Sequence, residues 1–293
     1  VDLSPLDENT IDAKALSGLA RRMGSVGLGG ATFPAAVKYA VPAEKHVDIL
    51  VLNGAECEPY LSADHRLMVE KTAEIVRGAR IIQRALGIKS IVVGIEDNKP
   101  DAIAAMTEAT KEYEDFSVQA LPVRYPQGGE KQLVYALTRR KVKAGGLPLD
   151  SGVIVSNVGT CYAVLRAVTE GRPIVDRVVT VGGRVAKPAN YLARIGTPVE
   201  WLLDTSGGLL PETKMLIYGG PMMGMAISRQ DIPVTKGCSG IVALGKAAGL
   251  AKETACIRCG RCHDVCPMRL LPAQIDKYTR KNMYDEAEQA GVL

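Results

Sequence analysis

Four short apolar runs, each followed by a segment of helical periodicity, constrain the fold of this chain more than any other feature of its sequence. Residues 47–53 (VDILVLN), 90–95, 116–123 and 153–156 read as strands. Between and after them, residues 64–86, 100–111, 130–140 and 160–170 read as helices. In the first of these Ala73, Val76, Ala79, Ile82 and Leu86 recur at helical spacing and Gly87 caps the end; Gly171 follows the last. Upstream, residues 11–23 form a helical pattern that stops at Gly24, and Pro34 opens a shorter one to residue 40. Strands alternating with helices at this spacing predict an α/β fold with a mainly parallel sheet covered on both faces. In such sheets a ligand lies beyond the carboxyl ends of the strands.

The rhythm changes near Arg172. Residues 173–181, Val185 and residues 215–218 read as strands, 197–203 as a short helix, and 240–244 as a last strand. This predicts a small β-rich domain with one helix over residues 172–245, after an α/β domain over 1–171. Residues 246–293 turn helical around a run of cysteines. Cys256, Cys259, Cys262 and Cys266, with Pro267 next, follow the C-x2-C-x2-C-x3-C-P spacing of bacterial iron–sulfur proteins. Zinc sites more often take two separated pairs of ligands, so the spacing favours an iron–sulfur cluster and single-electron transfer. In two-cluster proteins of this spacing the fourth cysteine serves the other cluster. Cys256, Cys259 and Cys262 would then hold one cluster and Cys266 would reach for a second. The sequence has no second motif to close both, and its two ends read as cut from a longer protein. Incomplete cluster binding by this stretch, or none at all, is therefore the expectation.

Charge and composition narrow the partners. A net charge of +4 over 293 residues, with no basic run interleaved with aromatics, argues against nucleic acid. No apolar run approaches the length of a membrane span. The other three of the seven cysteines, Cys57, Cys161 and Cys238, are widely spaced, which fits a reducing compartment rather than a disulfide scaffold. Cys57 reads as a buried or semi-exposed thiol rather than a nucleophile, Cys161 and Cys238 as packed ones. Met222, Met223 and Met225, beside Gly219, Gly220, Pro221 and Gly224, read as a flexible turn with core fillers.

Three strand ends carry polar loops: Asn53 to Tyr60 (NGAECEPY), Tyr125 to Lys131 (YPQGGEK) and Asn157 to Thr160 (NVGT). In a parallel sheet they converge on one edge. There they would bring two close carboxylates, Glu56 and Glu58, together with amide side chains and glycine-exposed N–H groups. The loop at residues 24–34 (GSVGLGGATFP) adds further N–H donors, suited to a phosphate or a flat polar ring. It is not the Rossmann dinucleotide fingerprint, because a helix and not a strand precedes the glycines. Lys38 could reach a phosphate, and Phe33 suits stacking on a base. Glu58 could alternatively pair with Arg66.

The loops VGLGGATFP (26–34), NGAECEPY (53–60) and YPQGGE (125–130), together with the cysteine motif, resemble the C subunit of the Rnf electron-transport complex. That family is related to the NADH- and FMN-binding subunit of respiratory complex I, and the resemblance spans essentially the whole chain. It implies a Rossmann-like flavin domain, a β-grasp domain of the soluble-ligand-binding type, and a helical ferredoxin-like segment holding two 4Fe–4S clusters in the intact subunit. By the same resemblance Gly27, Gly29 and Gly30 would pack against FMN and NAD(H), Phe33 would stack on the adenine, and Lys38 would approach the nucleotide phosphates. Asn53, Glu56 and Glu58 would line the flavin and the nicotinamide ribose, with Glu56 and Glu58 as the catalytic pair, acting by ribose hydrogen bonding and by their field on the flavin rather than as acid or base. Tyr125, Gly128 and Glu130 would complete the dinucleotide pocket, and Asn157 and Thr160 would hold the FMN phosphate side.

Ala55, Gly129 and Val41 depart from the complex I pattern, standing where that relative has an Asp, a Glu and an aromatic ring. The implied function is electron input to a membrane-bound NAD:ferredoxin oxidoreductase. Its partners would be NADH and the other complex subunits, including a ferredoxin-like iron–sulfur subunit. Its place would be peripheral, on the cytoplasmic face of the bacterial inner membrane. Two alternatives stay open on sequence: a cobalamin reductase of a bacterial microcompartment, which shares these motifs, and a non-catalytic scaffold subunit.

Overall fold

The computed structural model describes residues 3–245 and 254–292. The chain divides into two compact units, Val1–Lys246 and Ala247–Leu293. In chain order the first unit begins with α1 (Ala13–Arg22), α2 (Ala35–Tyr39), β1 (Ile49–Gly54), α3 (Ala63–Glu70), α4 (Thr72–Leu86), β2 (Ser90–Glu96) and α5 (Pro100–Thr110). It continues with β3 (Phe116–Leu121), α6 (Glu130–Thr138), β4 (Val153–Asn157) and α7 (Val158–Glu170). The remainder is β5 (Asp176–Gly183), β6 (Ala189–Arg194), α8 (Val199–Thr205), β7 (Thr213–Tyr218), β8 (Met225–Ile227) and β9 (Gly240–Gly245).

The first four strands form one parallel sheet in the order β3-β2-β1-β4. Its strands read as continuous apolar runs because both faces are covered. In β1, Leu50 and Leu52 point into the core shared with α1, α2, α4 and α7, while Val51 points the other way, against Leu133 and Val134 of α6. All three are fully buried. Burying each such side chain contributes about 1.5–3 kcal/mol, and this places the sheet at the centre of the unit. On the first face α4 and α7 run close together. A Cβ on Gly78 of α4 would lie 1.9 Å from the carbonyl oxygen of Cys161 in α7.

One expected helix is two. The periodic stretch 64–86 breaks at Lys71, whose φ of −130° and ψ of 31° leave the helical region. Neither Gly nor Pro marks that break in the sequence, so periodicity alone carries through it.

The second sheet is mixed, in the order β6-β5-β9-β7-β8, with β5 and β9 parallel and every other pair antiparallel. The single helix α8 packs Val199, Leu202 and Leu203 onto it, against Val179, Val181, Ile241 and Ala243. A parallel central pair with antiparallel flanks and one helix is the expected β-grasp arrangement. In the edge strands β6 and β8 only Ala193 is buried. The second unit contains α9 (Arg261–Asp264), α10 (Pro272–Thr279) and α11 (Tyr284–Gln289). Residues 246–253, where the helical reading begins, lie outside the described residues. Among the described residues no helix is long and apolar enough to cross a membrane.

Candidate functional site

The order β3-β2-β1-β4 reverses direction between β1 and β4. From β1 the chain adds β2 and β3 on one side, then crosses back to lay β4 on the other. A crevice opens at such a switch point, outside the carboxyl ends of the two strands. The last register pair there is Asn53 opposite Asn157. Each asparagine shapes its own loop: Asn53 Oδ1 accepts from Ala55 N at 3.1 Å, and Asn157 Oδ1 accepts from Gly159 N at 2.9 Å, capping α7. Their amide nitrogens reach outward. Asn53 Nδ2 donates to Gly128 O at 2.8 Å, and Asn157 Nδ2 to Asp64 Oδ2 at 2.7 Å. Strand β1 is thereby tied to the loop before α6, and α7 to α3.

The glycine loop closes on itself. A bridge pairs Val26 with Pro34, and Gly27 N donates to Phe33 O at 2.9 Å. The buried Thr160 hydroxyl accepts the Leu28 N–H at 2.9 Å, which pins the loop to the first turn of α7. Gly29 lies against Asn157, where a Cβ would come within 3.4 Å of it. Gly30 has φ +101° and faces open space, with nothing within 4 Å of an added Cβ. Phe33 and Tyr125 are both about two-fifths exposed, at 44% and 41%, so apolar rings flank the crevice without packing into a core. Lys38 Nζ donates to Glu130 Oε1 and to Val155 O, each at 2.8 Å, and stands 5.8 Å from the Phe33 ring centroid. An open glycine loop and an exposed Phe33 ring with a lysine beside it fit a flat, phosphate-bearing cofactor.

The two carboxylates separate in role. Glu56 accepts from Asp64 N at 3.0 Å and His65 N at 3.2 Å, capping the first turn of α3. Its residue surface is partly accessible, but the carboxylate turns inward towards Asp64, with Lys99 and Arg177 near enough to act on it. Burial, and then the Asp64 carboxylate, push the Glu56 carboxyl up to about 8. These outweigh the two amide hydrogen bonds, which favour the charged form. Burial also raises Asp64. Glu58 does not pair with Arg66, which bonds Glu70 instead. It binds the backbone of the β-grasp sheet, accepting from Met222 N at 2.9 Å and Met223 N at 2.8 Å.

A pH dependence of stability follows from Glu56. In the unfolded chain the group titrates near its ordinary 4.5, and in the folded protein near 8. Between those values the folded state holds a proton that the unfolded state has lost, so stability falls as pH rises. Glu56→Gln mimics the protonated form. Its Tm should fall less than that of the wild type between about pH 5 and about pH 9; equal slopes for the two proteins would contradict the assignment.

Residues that the sequence pattern does not single out hold the site together. Arg177 of β5 is 6% exposed. It donates to Leu28 O at 3.3 Å, to Val178 O at 3.2 Å and to Lys236 O, fixing the glycine loop from the β-grasp side. An arginine inside an apolar strand is the signal that could have found it. Asp64, Lys99 and the amides of residues 222 and 223 carry none. Cys57 is half-buried, as expected, and accepts from Gly128 N at 3.4 Å; Cys161 and Cys238 are buried in cores. Met222, Met223 and Met225 are not core fillers, since they are 51%, 78% and 67% exposed.

The cysteine motif lies in the second unit. Cys256, Cys259 and Cys262 are exposed and Cys266 is half-buried, all as free thiols. Among the described residues no three or more Cys, His, Asp or Glu side chains are gathered to hold a metal ion. The spacing suits a cluster, but this conformation does not bring the sulfurs together.

Two family models match the chain. The family model described as the Nuo51 FMN-binding domain matches residues 20–166, and the SLBB domain model matches residues 178–226. The C subunit of the proton-translocating ferredoxin:NAD(+) oxidoreductase complex of Clostridium ljungdahlii is 49% identical over 283 residues, covering 95% of this chain and 61% of that protein. The C subunit of the Na(+)-translocating ferredoxin:NAD(+) oxidoreductase complex of Acetobacterium woodii is 44% identical over 285 residues, covering 97% of this chain and 64% of that protein. The chain thus spans less than two thirds of the length of these relatives. Among solved structures, an NAD+-reducing [NiFe]-hydrogenase in its air-oxidized state superposes with a TM-score of 0.67 at 21% identity, over 80% of this chain and 47% of that one. That likeness concerns the fold.

Proposed function

The chain belongs to the family of the Nuo51 FMN-binding domain, and from that premise we propose that it is the flavin- and nicotinamide-binding module of an Rnf-type ferredoxin:NAD oxidoreductase. The observation that carries the reading is the switch point between β1 and β4. Asn53 and Asn157 face each other there beside a glycine loop whose Gly30 opens onto free space. FMN bound there would accept the two electrons of a hydride from NADH and release them singly. The protein's part is binding and orientation. Gly29 and Gly30 allow close backbone approach to the flavin, and Asn157 at the start of α7 lies on its phosphate side. Thr160 acts one step back, by holding Leu28.

Phe33 offers a ring face to the adenine, and Lys38, steered by Glu130, offers a cation to the nucleotide phosphates. Asn53, Tyr125, Gly128 and Glu130 complete the walls. Glu58 is the carboxylate for the nicotinamide ribose, and Glu56 organises α3 beneath the site. Hydride transfer to a flavin needs no residue to move a proton in its first step, so neither carboxylate is required as an acid or base.

The cysteine spacing supports 4Fe–4S chemistry in the complete subunit. The matching relatives are named as subunits of ion-translocating complexes, which supports a peripheral module working with other subunits at a membrane. Titration of the purified chain with FMN tests the reading. A saturable change in flavin fluorescence at one FMN per chain is expected; no change up to about 100 μM, a binding free energy weaker than about −5.5 kcal/mol, would sink it.

A further inference from the structure

We propose that the β-grasp turn at residues 219–224 is a positioning element of the nucleotide crevice, acting through Glu58; this rests on the functional reading above. The sequence Gly219-Gly220-Pro221-Met222-Met223-Gly224 links β7 to β8. Its N–H groups at Met222 and Met223 each donate to a different oxygen of Glu58, 2.9 and 2.8 Å away. Two successive amides of this turn thus converge on one carboxylate. Each carboxylate oxygen keeps a further lone pair for a ligand hydroxyl.

The glycines are what this contact requires. A Cβ on the buried Gly220 would lie 2.4 Å from Glu58 Oε2, 2.5 Å from its Cδ and 2.7 Å from its Cβ. A Cβ on Gly224 would lie 2.5 Å from Gly220 O, and Gly219 has φ +100°. The turn closes tightly because its interior is filled by the glutamate of another domain, 164 residues away for Met222. Glu58 also lies near enough to Tyr125 for its charge to act there: burial first, then that charge, raise the Tyr125 hydroxyl. The turn therefore sets where the Glu58 carboxylate stands when a nucleotide arrives.

Two measurements test this, one without catalysis. Amide hydrogen exchange at residues 222 and 223 should quicken in both Gly220→Ala and Glu58→Ala; unchanged protection in Glu58→Ala would overturn the proposal whatever the activity. In the FMN-loaded chain Gly220→Ala should raise the KM for NADH about tenfold, the weight of one charge-assisted hydrogen bond. Its kcat and FMN content should stay within about twofold of wild type, because only uniform nucleotide binding is lost. Glu58→Ala with Gly220→Ala should show the KM of Glu58→Ala alone, since the turn acts through that side chain. Multiplying effects, or a wild-type KM in Gly220→Ala, would overturn it. A wild-type chain that binds FMN but does not oxidise NADH would instead count against the functional reading, and the exchange result would still decide the turn's contact.

Discussion

Lys38→Ala is expected to raise the KM for NADH by about 10–100-fold in the FMN-loaded chain, while moving the Tm by no more than a few degrees. The two effects separate because the lysine would have two jobs of unequal weight. As a structural group it bonds Glu130 and the Val155 carbonyl, and its side chain and that of Glu130 are 24% and 45% exposed. Solvated ion pairs of this kind contribute about 1 kcal/mol or less. As a ligand group it would meet a phosphate beside the Phe33 ring in a partly closed crevice, where a charge-assisted hydrogen bond is worth about 1.5–3 kcal/mol. At about 1.4 kcal/mol per decade this gives the stated range. Steady-state kinetics beside thermal unfolding separates the two. A large fall in Tm with an unchanged KM would make Lys38 a structural residue.

Gly78→Ala should lower stability by about 3 kcal/mol, or about 6–12 °C in Tm for a unit of this size. Helix propensity alone predicts the opposite sign, since alanine inside a helix is favoured over glycine by about 1 kcal/mol. The packing decides. The added Cβ would stand 1.9 Å from Cys161 O and 2.6 Å from its carbonyl carbon. These are backbone atoms of α7, so no side chain can swing aside, and α4 must move away from its neighbour. Thermal or urea unfolding checks this. A variant as stable as the wild type would mean that the two helices are not so closely packed.

The sequence made the α/β sheet and the edge where its polar loops gather legible because both rest on local pattern. Leu50, Val51 and Leu52 form an unbroken apolar run, as a strand covered on both faces must. Gly87 and Gly171 take the left-handed conformation that ends α4 and α7. The polar loops after β1, β3 and β4 then fall at one edge by topology. What could not be read depends on partners far apart in the chain. The break at Lys71 carries no Gly or Pro. The cap of α3 comes from Glu56, seven residues before Ala63, while the neighbouring Ser62 side chain makes no capping bond. Arg177 meets Leu28 across 149 positions. Met222 and Met223 look like core fillers by type, but their role in the contact with Glu58 belongs to their backbone N–H groups, which sequence pattern does not display.

The most direct test of the central claim, that the β1–β4 crevice holds FMN within reach of a nicotinamide nucleotide, is anaerobic addition of NADH to the FMN-loaded chain. The flavin's visible absorption should bleach, with a rate that saturates in NADH. Bound FMN that dithionite bleaches and NADH does not would contradict the account.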